Sequence, residues 1–289
     1  MQNNTPFLLS EQETEQFLNL IKQERLQEGY CKLKYLELLV QKTQEVFPFQ
    51  NLFLLQHKFE QRKQLSYQEI KQLVLKGTGG YCLVISPVFC GLLQSLGYEA
   101  SLICGSCRNI PKNHASILVQ NLLEDGDQYL VEVSLGYKNM PIKIDFDKKS
   151  ELFECSFGQF YFEWQNDQKQ ILNRIDEKNQ FFCCYSLNII FKDYEHLLSI
   201  EGSVYTDQNK SPFHKTLRII RFPSTGAVCI LNNQLLIENS LTNKLEVEET
   251  ITDLDQFNKL IQKYFPSIDK QMSTLAYNNF AQQRSQAQH

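Results

Sequence analysis

A cysteine that follows two glycines is the residue of this chain best placed to do chemistry. Cys82 stands in the run Gly77-Thr78-Gly79-Gly80-Tyr81-Cys82-Leu83-Val84, a glycine turn that should deliver the thiol to the first position of a helix. There it meets the positive end of the helix dipole and unpaired N–H groups, both of which favour the reactive thiolate form. His114 and Glu132 follow, each in an apolar segment that reads as a strand. Cysteine, histidine and carboxylate in that order make a nucleophile, its base and the group that orients the base. Glu132 sits among Tyr129, Leu130, Val131 and Val133. A charge in such a strand turns outward or is paired, and pairing with His114 gives it a reason to face inward.

The elements that must position these side chains divide the chain in three. The first third is helical. Ser10 with Glu13 and Ser66 with Glu69 are capping-box patterns, leading into Phe17, Leu18, Leu20 and Ile21, and into Ile70, Leu73 and Val74. Between them Leu33, Leu36, Leu39 and Val40 repeat at helical spacing up to Pro48. A fourth helix starts at Cys82, carries Val88, Phe89, Leu92, Leu93 and Leu96, and ends before Gly97. From Tyr98 the period changes to short apolar runs at 100–104, 115–119, 129–133, 160–164 and 181–187, with a hairpin signal at Asp125-Gly126. This predicts an antiparallel sheet able to curl into a barrel. The last region, from about Phe191, mixes strands at 217–222, 227–231 and 234–237 with a helix near 253–265, and the Gln-rich stretch from Asn278 to His289 reads as a frayed end.

With 289 residues and 42% hydrophobic content the chain can bury a substantial core. A net charge of −4 and no long basic run argue against a nucleic-acid partner. No apolar run approaches the roughly 20 residues that span a bilayer, so no membrane partner is expected. Nine cysteines at irregular spacing, behind an N-terminus without signal-peptide blocks, suggest a reduced, cytoplasmic setting. Cys104-Gly105-Ser106-Cys107 is a lone CxxC with no second pair or spaced histidines to complete a zinc site, so no metal is expected and the two read as ordinary thiols. Cys183-Cys184 reads as strand filler, and His57, His196 and His214 lack spaced partners.

Four local matches resemble the arylamine N-acetyltransferase family. Pro48-Phe49-Gln50-Asn51-Leu52 is similar to the family's Pro-Phe-Glu-Asn-Leu. Gly79-Gly80-Tyr81-Cys82 is similar to the end of its Arg-Gly-Gly-x-Cys nucleophile motif, and Leu93 to Tyr98 to the end of the following helix. His114 with the run Tyr129 to Gly136 resembles the family's histidine followed by Asp-Val-Gly-Phe-Gly. A weaker match lies at Ser211-Pro212-Phe213, followed by Thr225-Gly226. The resemblance spans about residues 30 to 240 and implies an α+β, papain-like cysteine-triad fold. Its parts are an N-terminal helical bundle (1–97), a central antiparallel β-barrel (98–190) and a C-terminal α/β lid (191–289). It implies acetyl-CoA as co-substrate, an acetyl thioester on Cys82, and an arylamine or hydrazine acceptor. Phe49, Gly79, Gly80, Tyr81 and Leu135 would shape the pocket, and Ser211, Pro212 and Phe213 would receive the CoA tail.

The departures are specific. The family has Arg at Thr78 and Glu at Val84, side chains that pair beside the nucleophile. Losing one partner strands a charge at about 3–5 kcal/mol if buried, whereas losing both is close to neutral, so an ion pair replaced as a unit is expected. Glu132 replaces Asp, Ser134 replaces Gly, Leu135 replaces an aromatic, and the Cys-to-His segment is shorter than the family's. These changes bear on substrate class more than on fold. They leave two alternatives: a catalytically silent member serving as a scaffold or assembly subunit, and a papain- or transglutaminase-type hydrolase using the same triad.

Overall fold

The protein is described here from a computed structural model covering residues 7–108, 110–165, 170–177, 180–189, 204–209 and 211–286. His196 lies outside the described residues. The N-terminal third forms α1 (Glu11–Leu20), α2 (Lys32–Val46), β1 (Phe49–Gln50), α3 (Leu52–Leu55), α4 (Tyr67–Leu75) and α5 (Cys82–Ser95). Both capping boxes form as the sequence predicts. Ser10 Oγ accepts from the Glu13 N–H while Glu13 accepts from the Ser10 N–H, and Ser66 and Glu69 repeat the exchange at α4. α5 is buried from Cys82 through Leu93. A helix apolar all round belongs in the interior, and this one packs against α4 on one side and the central sheet on the other. It ends at Leu96, with Gly97 at φ +82° as the left-handed residue beyond the cap.

The central sheet has eight strands: β2 (Glu99–Cys107), β3 (Ile110–Gln120), β4 (Gln128–Val131), β5 (Ile142–Lys143), β6 (Phe153–Cys155), β7 (Gly158–Trp164), β8 (Gln170–Glu177) and β9 (Gln180–Asn188). They run in the order β5-β4-β3-β2-β9-β8-β7-β6, every neighbour antiparallel, giving a half-barrel. The segment leading into β6 lies back along β7, where Ser150 N–H donates to Phe162 O at 2.8 Å and Trp164 N–H to Lys148 O at 2.9 Å. The hairpin marked by Asp125-Gly126 exists, but its turn is fastened by Asp127. That carboxylate accepts the N–H groups of Leu122, Leu123 and Glu124, and these bonds hold it below the usual carboxylate range against the opposing effect of desolvation.

A second sheet of five strands is ordered β1-β10-β11-β12-β13, with β10 (Arg218–Arg221), β11 (Val228–Leu231), β12 (Gln234–Asn239) and β13 (Lys244–Thr250). Two helices close the chain, α6 (Leu254–Tyr264) and α7 (Lys270–Gln286). β1 comes from the helical third yet pairs with β10, Phe49 opposite Ile220 and Gln50 opposite Ile219. Leu52 and Leu55 of α3 share one buried cluster with Phe257 of α6 and Phe280 of α7. The reading of the tail as frayed from Asn278 is therefore corrected as far as Gln286. Phe280 is buried, and Asn279 Nδ2 donates to the carbonyls of Leu55 and Gln56 at 3.0 Å each. Among the described residues no helix is long and apolar enough to cross a membrane.

Candidate active site

The turn before Cys82 is stitched to the chain at Pro48. Gly80 N–H donates to Pro48 O and Gln50 N–H to Gly80 O, both at 3.1 Å. Gly79 has φ +72°, and a Cβ there would overlap the Pro48 carbonyl, so the close approach and the left-handed backbone both require glycine. Tyr81 takes the N-cap position with extended backbone and no side-chain cap, and Cys82 is the first residue of α5. The first N–H groups of a helix have no intrahelical acceptor, and here the bonding starts at Val84, whose N–H donates to the Tyr81 carbonyl at 2.8 Å. Cys82 is 5% exposed, and its thiol makes a weak bond to the Asn113 carbonyl at 3.8 Å.

Asn113 precedes His114 on β3, so this contact sets the nucleophile beside the histidine strand. His114 Nε2 donates to Glu132 Oε1 at 3.0 Å, with side-chain exposures of 0% and 2%. Glu132 lies just past the end of β4, one residue beyond Val131. Nδ1 of His114 is fully buried with no hydrogen bond of good geometry, and the Cys107 thiol is the side chain that reaches the ring. Burial by itself would lower the imidazole's pKa. Electrostatic interaction with Cys107, Glu132 and Cys82, and a side-chain hydrogen bond from Cys107, outweigh it, and the pKa stands well above its ordinary value. The ring is also tilted against Tyr185, centroid to centroid 4.7 Å.

Two residues of this centre, Ser116 and Asn113, went unmarked in the sequence, and Cys107 was given no role. Ser116 Oγ lies 3.0 Å from His114 Nε2 and donates to Glu132 Oε1. Cys107, read as an ordinary thiol, stands within charge reach of His114; desolvation pushes its thiol up and His114 pulls it down. Asn113 joins the two cysteines, since its Oδ1 accepts the Cys107 N–H at 2.6 Å while its carbonyl accepts the Cys82 thiol. The alternation along β3 was the available signal for Ser116. The bonds made by Asn113 depend on a bulge between β2 and β3, which no local pattern announces.

Of the residues expected to shape a pocket, Tyr81 and Phe49 stand in a wall of packed rings, 0% and 6% exposed. Tyr81 stacks on Phe213 at 4.9 Å and 12°, and Phe213 meets the edge of Phe49 at 5.8 Å. The Arg218 guanidinium then lies over both Phe49 and Tyr137, at 5.7 and 5.9 Å. Tyr137, Phe157 and Phe222 continue the run to a cavity of about 240 Å³ lined by Lys138, Ser156, Ser224, Thr225, Gly226 and Glu238 among others. Ser211 is 2% exposed and its hydroxyl accepts the Phe213 N–H, so it caps the turn begun by Pro212 and presents Phe213 to the wall. Asn51 Nδ2 anchors that turn through the carbonyls of Phe213 and Thr216, at 2.8 and 2.6 Å. Leu135 is 8% exposed and belongs to the half-barrel's own core. Ser134, two residues past Glu132, shares a 2.9 Å hydrogen bond with Ser86 of α5, tying the carboxylate's segment to the nucleophile helix.

Comparison with known proteins agrees with this geometry. Residues 32–271 match the family model described as N-acetyltransferase. Arylamine N-acetyltransferase 2 of Mus musculus is 25% identical over 270 residues, covering 80% of this chain and 91% of that protein, and arylamine N-acetyltransferase 1 of Felis catus is 22% identical over 212 residues, covering 63% and 82%. Among solved structures, the Salmonella typhimurium arylamine N-acetyltransferase superposes with a TM-score of 0.74 at 15% identity, covering 93% of this chain and 99% of that one. The Bacillus cereus enzyme, whose crystal structure reveals a unique Cys-His-Glu catalytic triad, superposes with a TM-score of 0.72 at 19% identity, covering 90% and 99%. The Mycobacterium marinum enzyme in complex with CoA gives 0.75 at 15% identity, covering 92% and 98%. By sequence model, curated relatives and fold together, the chain is a divergent member of the arylamine N-acetyltransferase family.

Proposed function

We propose that the protein is an acetyl-CoA-dependent N-acetyltransferase working by two-step exchange through Cys82, with an arylamine or hydrazine as acceptor. The observation that carries the reading is the buried His114–Glu132 pair, which leaves Nδ1 of His114 as the ring atom on the side of the thiols. In the first step the Cys82 thiolate attacks the thioester carbonyl, and the tetrahedral oxyanion is met by N–H groups at the start of α5. The CoA thiolate leaves and takes the proton from His114, and the acetyl group stays on Cys82. In the second step the acceptor nitrogen attacks the acetyl carbonyl, His114 accepts its proton, and the Cys82 thiolate departs. Thioester exchange is nearly balanced in energy, so the barrier falls on positioning and charge. Glu132 keeps the Nε2 proton on its side of the ring and pairs with the imidazolium that forms.

Acetyl-CoA fits the chain's own groups. Lys138 with the hydroxyls of Ser224 and Thr225 offers the far cavity to phosphates, beside the Glu238 carboxylate that Ser156 already bonds. The Ser211–Phe213 turn joins the rings through Phe213, which stacks on Tyr81. A silent scaffold is the second reading, favoured by the Cys82 thiol resting on the Asn113 carbonyl instead of on His114. Incubating the protein with acetyl-CoA and no acceptor, then mapping the adduct by intact mass and peptide analysis with Cys82→Ser as control, separates the two. One acetyl group on Cys82 supports exchange; no adduct from folded protein across pH supports the scaffold.

A further inference from the structure

Ser116 is a buried hydroxyl that the two-step exchange does not use, and it touches both remaining members of the triad. It is 0% exposed. β3 alternates faces, so Ser116 shares the inward face with His114 two residues earlier. Ile117 pairs with Val131 across the ladder, so the next step of the register sets Ser116 opposite Glu132. The hydroxyl accordingly lies 3.0 Å from His114 Nε2 and donates to Glu132 Oε1, the same oxygen that accepts from His114. The other carboxylate oxygen, Oε2, is buried with no hydrogen bond of good geometry, and the Tyr185 hydroxyl is the further group that reaches this carboxylate.

We propose that Ser116 is a positioning residue that fixes the Glu132 carboxylate on His114 and thereby selects the imidazole tautomer with its lone pair at Nδ1. The physical need is plain. Glu132 has three side-chain torsions to fix; Tyr185 reaches the carboxylate as well, but at Oε1 the His114 bond alone leaves a hinge. A second donor on the same oxygen removes the hinge. The hydroxyl proton is committed to the carboxylate, so Ser116 can accept from, but not donate to, Nε2. That excludes the tautomer with a lone pair on Nε2 and turns the basic lone pair toward the thiols. Ser116 touches no substrate; it acts through Glu132.

The inference rests on the Cys82 exchange for its kinetic readout, but the titration of His114 tests it alone. Ser116→Ala removes one oxygen and should leave acetyl-CoA affinity unchanged while slowing Cys82 acetylation about 10- to 100-fold, the scale of a misplaced catalytic group. The His114 titration followed by NMR should move down by about one unit, the worth of one charge-assisted bond. In a Glu132→Gln background the serine substitution should have no further effect, because its route is gone. Ser116→Thr, which keeps the hydroxyl, should restore the rate, and it carries the test if the alanine variant does not fold. An unmoved His114 titration overturns the proposal, as does an undiminished effect in the Glu132→Gln background. If wild-type protein takes no acetyl group yet Ser116→Ala still moves the titration, the positioning role stands and the exchange reading falls.

Discussion

Arginine at position 78 should destabilise the fold, and the magnitude follows from what surrounds the turn. Thr78 is 5% exposed, and its carbonyl accepts Gln50 Nε2 at 3.3 Å. The Gln50 Oε1 is already bonded to the N–H groups of Leu52 and Phe53, at 2.5 and 3.3 Å, where it starts α3. Val84 is fully buried, close enough to Gly80 that a Cβ on that glycine would strike it. The side chains joined to the turn are thus neutral and engaged. A guanidinium placed there alone is an unpaired buried charge costing about 3–5 kcal/mol. At 2–4 °C per kcal/mol for a chain of this order, the melting temperature should fall by about 6–20 °C. Adding Gln50→Glu should recover much of the loss, since a carboxylate at Gln50 can keep accepting from Leu52 and Phe53 while facing position 78. Differential scanning calorimetry of the single and double variants is the assay. An unchanged melting temperature for Thr78→Arg alone would mean that the guanidinium reaches water, and the account of an ion pair replaced as a unit would be wrong.

Gly79→Ala should cost about 1–3 kcal/mol in backbone strain alone, with more from the Pro48 clash, and should slow iodoacetamide labelling of Cys82 while the other thiols label as before; peptide mapping reads both. The buried Arg62 Nη1 bonds His214 Nδ1 at 2.8 Å, so that ring must stay neutral. Burial holds its pKa below the ordinary value, the Val204 carbonyl opposes this, and Arg62 lowers it further. Its unfolded pKa is near 6.5, so the stability it confers is complete above about that pH and is lost as pH falls through the lower folded value. Urea midpoints measured down the acid limb should show this slope, and His214→Ala should flatten it. His114 works in the opposite sense: its raised folded pKa contributes stability that is present below the unfolded value and lost as pH rises through the folded one, a slope that Glu132→Gln should weaken in the same titration. Phe280→Ala should cost about 3–5 kcal/mol by urea unfolding, as a large-to-small core change does; a change under 1 kcal/mol would mean that α7 is not part of the core.

What could be read from the sequence is what is decided within a few residues. The capping boxes at Ser10 and Ser66, the left-handed Gly97 and the glycine turn before Cys82 are local devices, and each appears where its pattern predicts. His114 and Glu132 were legible as a pair because a charge on an apolar strand needs a partner. α7 was hidden because its buried face is built from Ser273, Ala276 and Phe280, two of them too small to register as an apolar stripe, while its Gln and Asn residues resemble a solvated tail. Docking against α6 and against α3, the latter more than 200 positions away in sequence, gives that face something to cover. The same limit applies inside the site. A serine two residues after a histidine says nothing by itself, because its hydroxyl acquires a function only when antiparallel pairing brings Glu132 across from it. The carboxylate that replaces the family's Asp, one methylene longer, has in the folded chain a second donor on its oxygen. Departures from a family pattern are therefore poorly judged one position at a time, because the compensating group can come from a neighbouring strand and not from the motif.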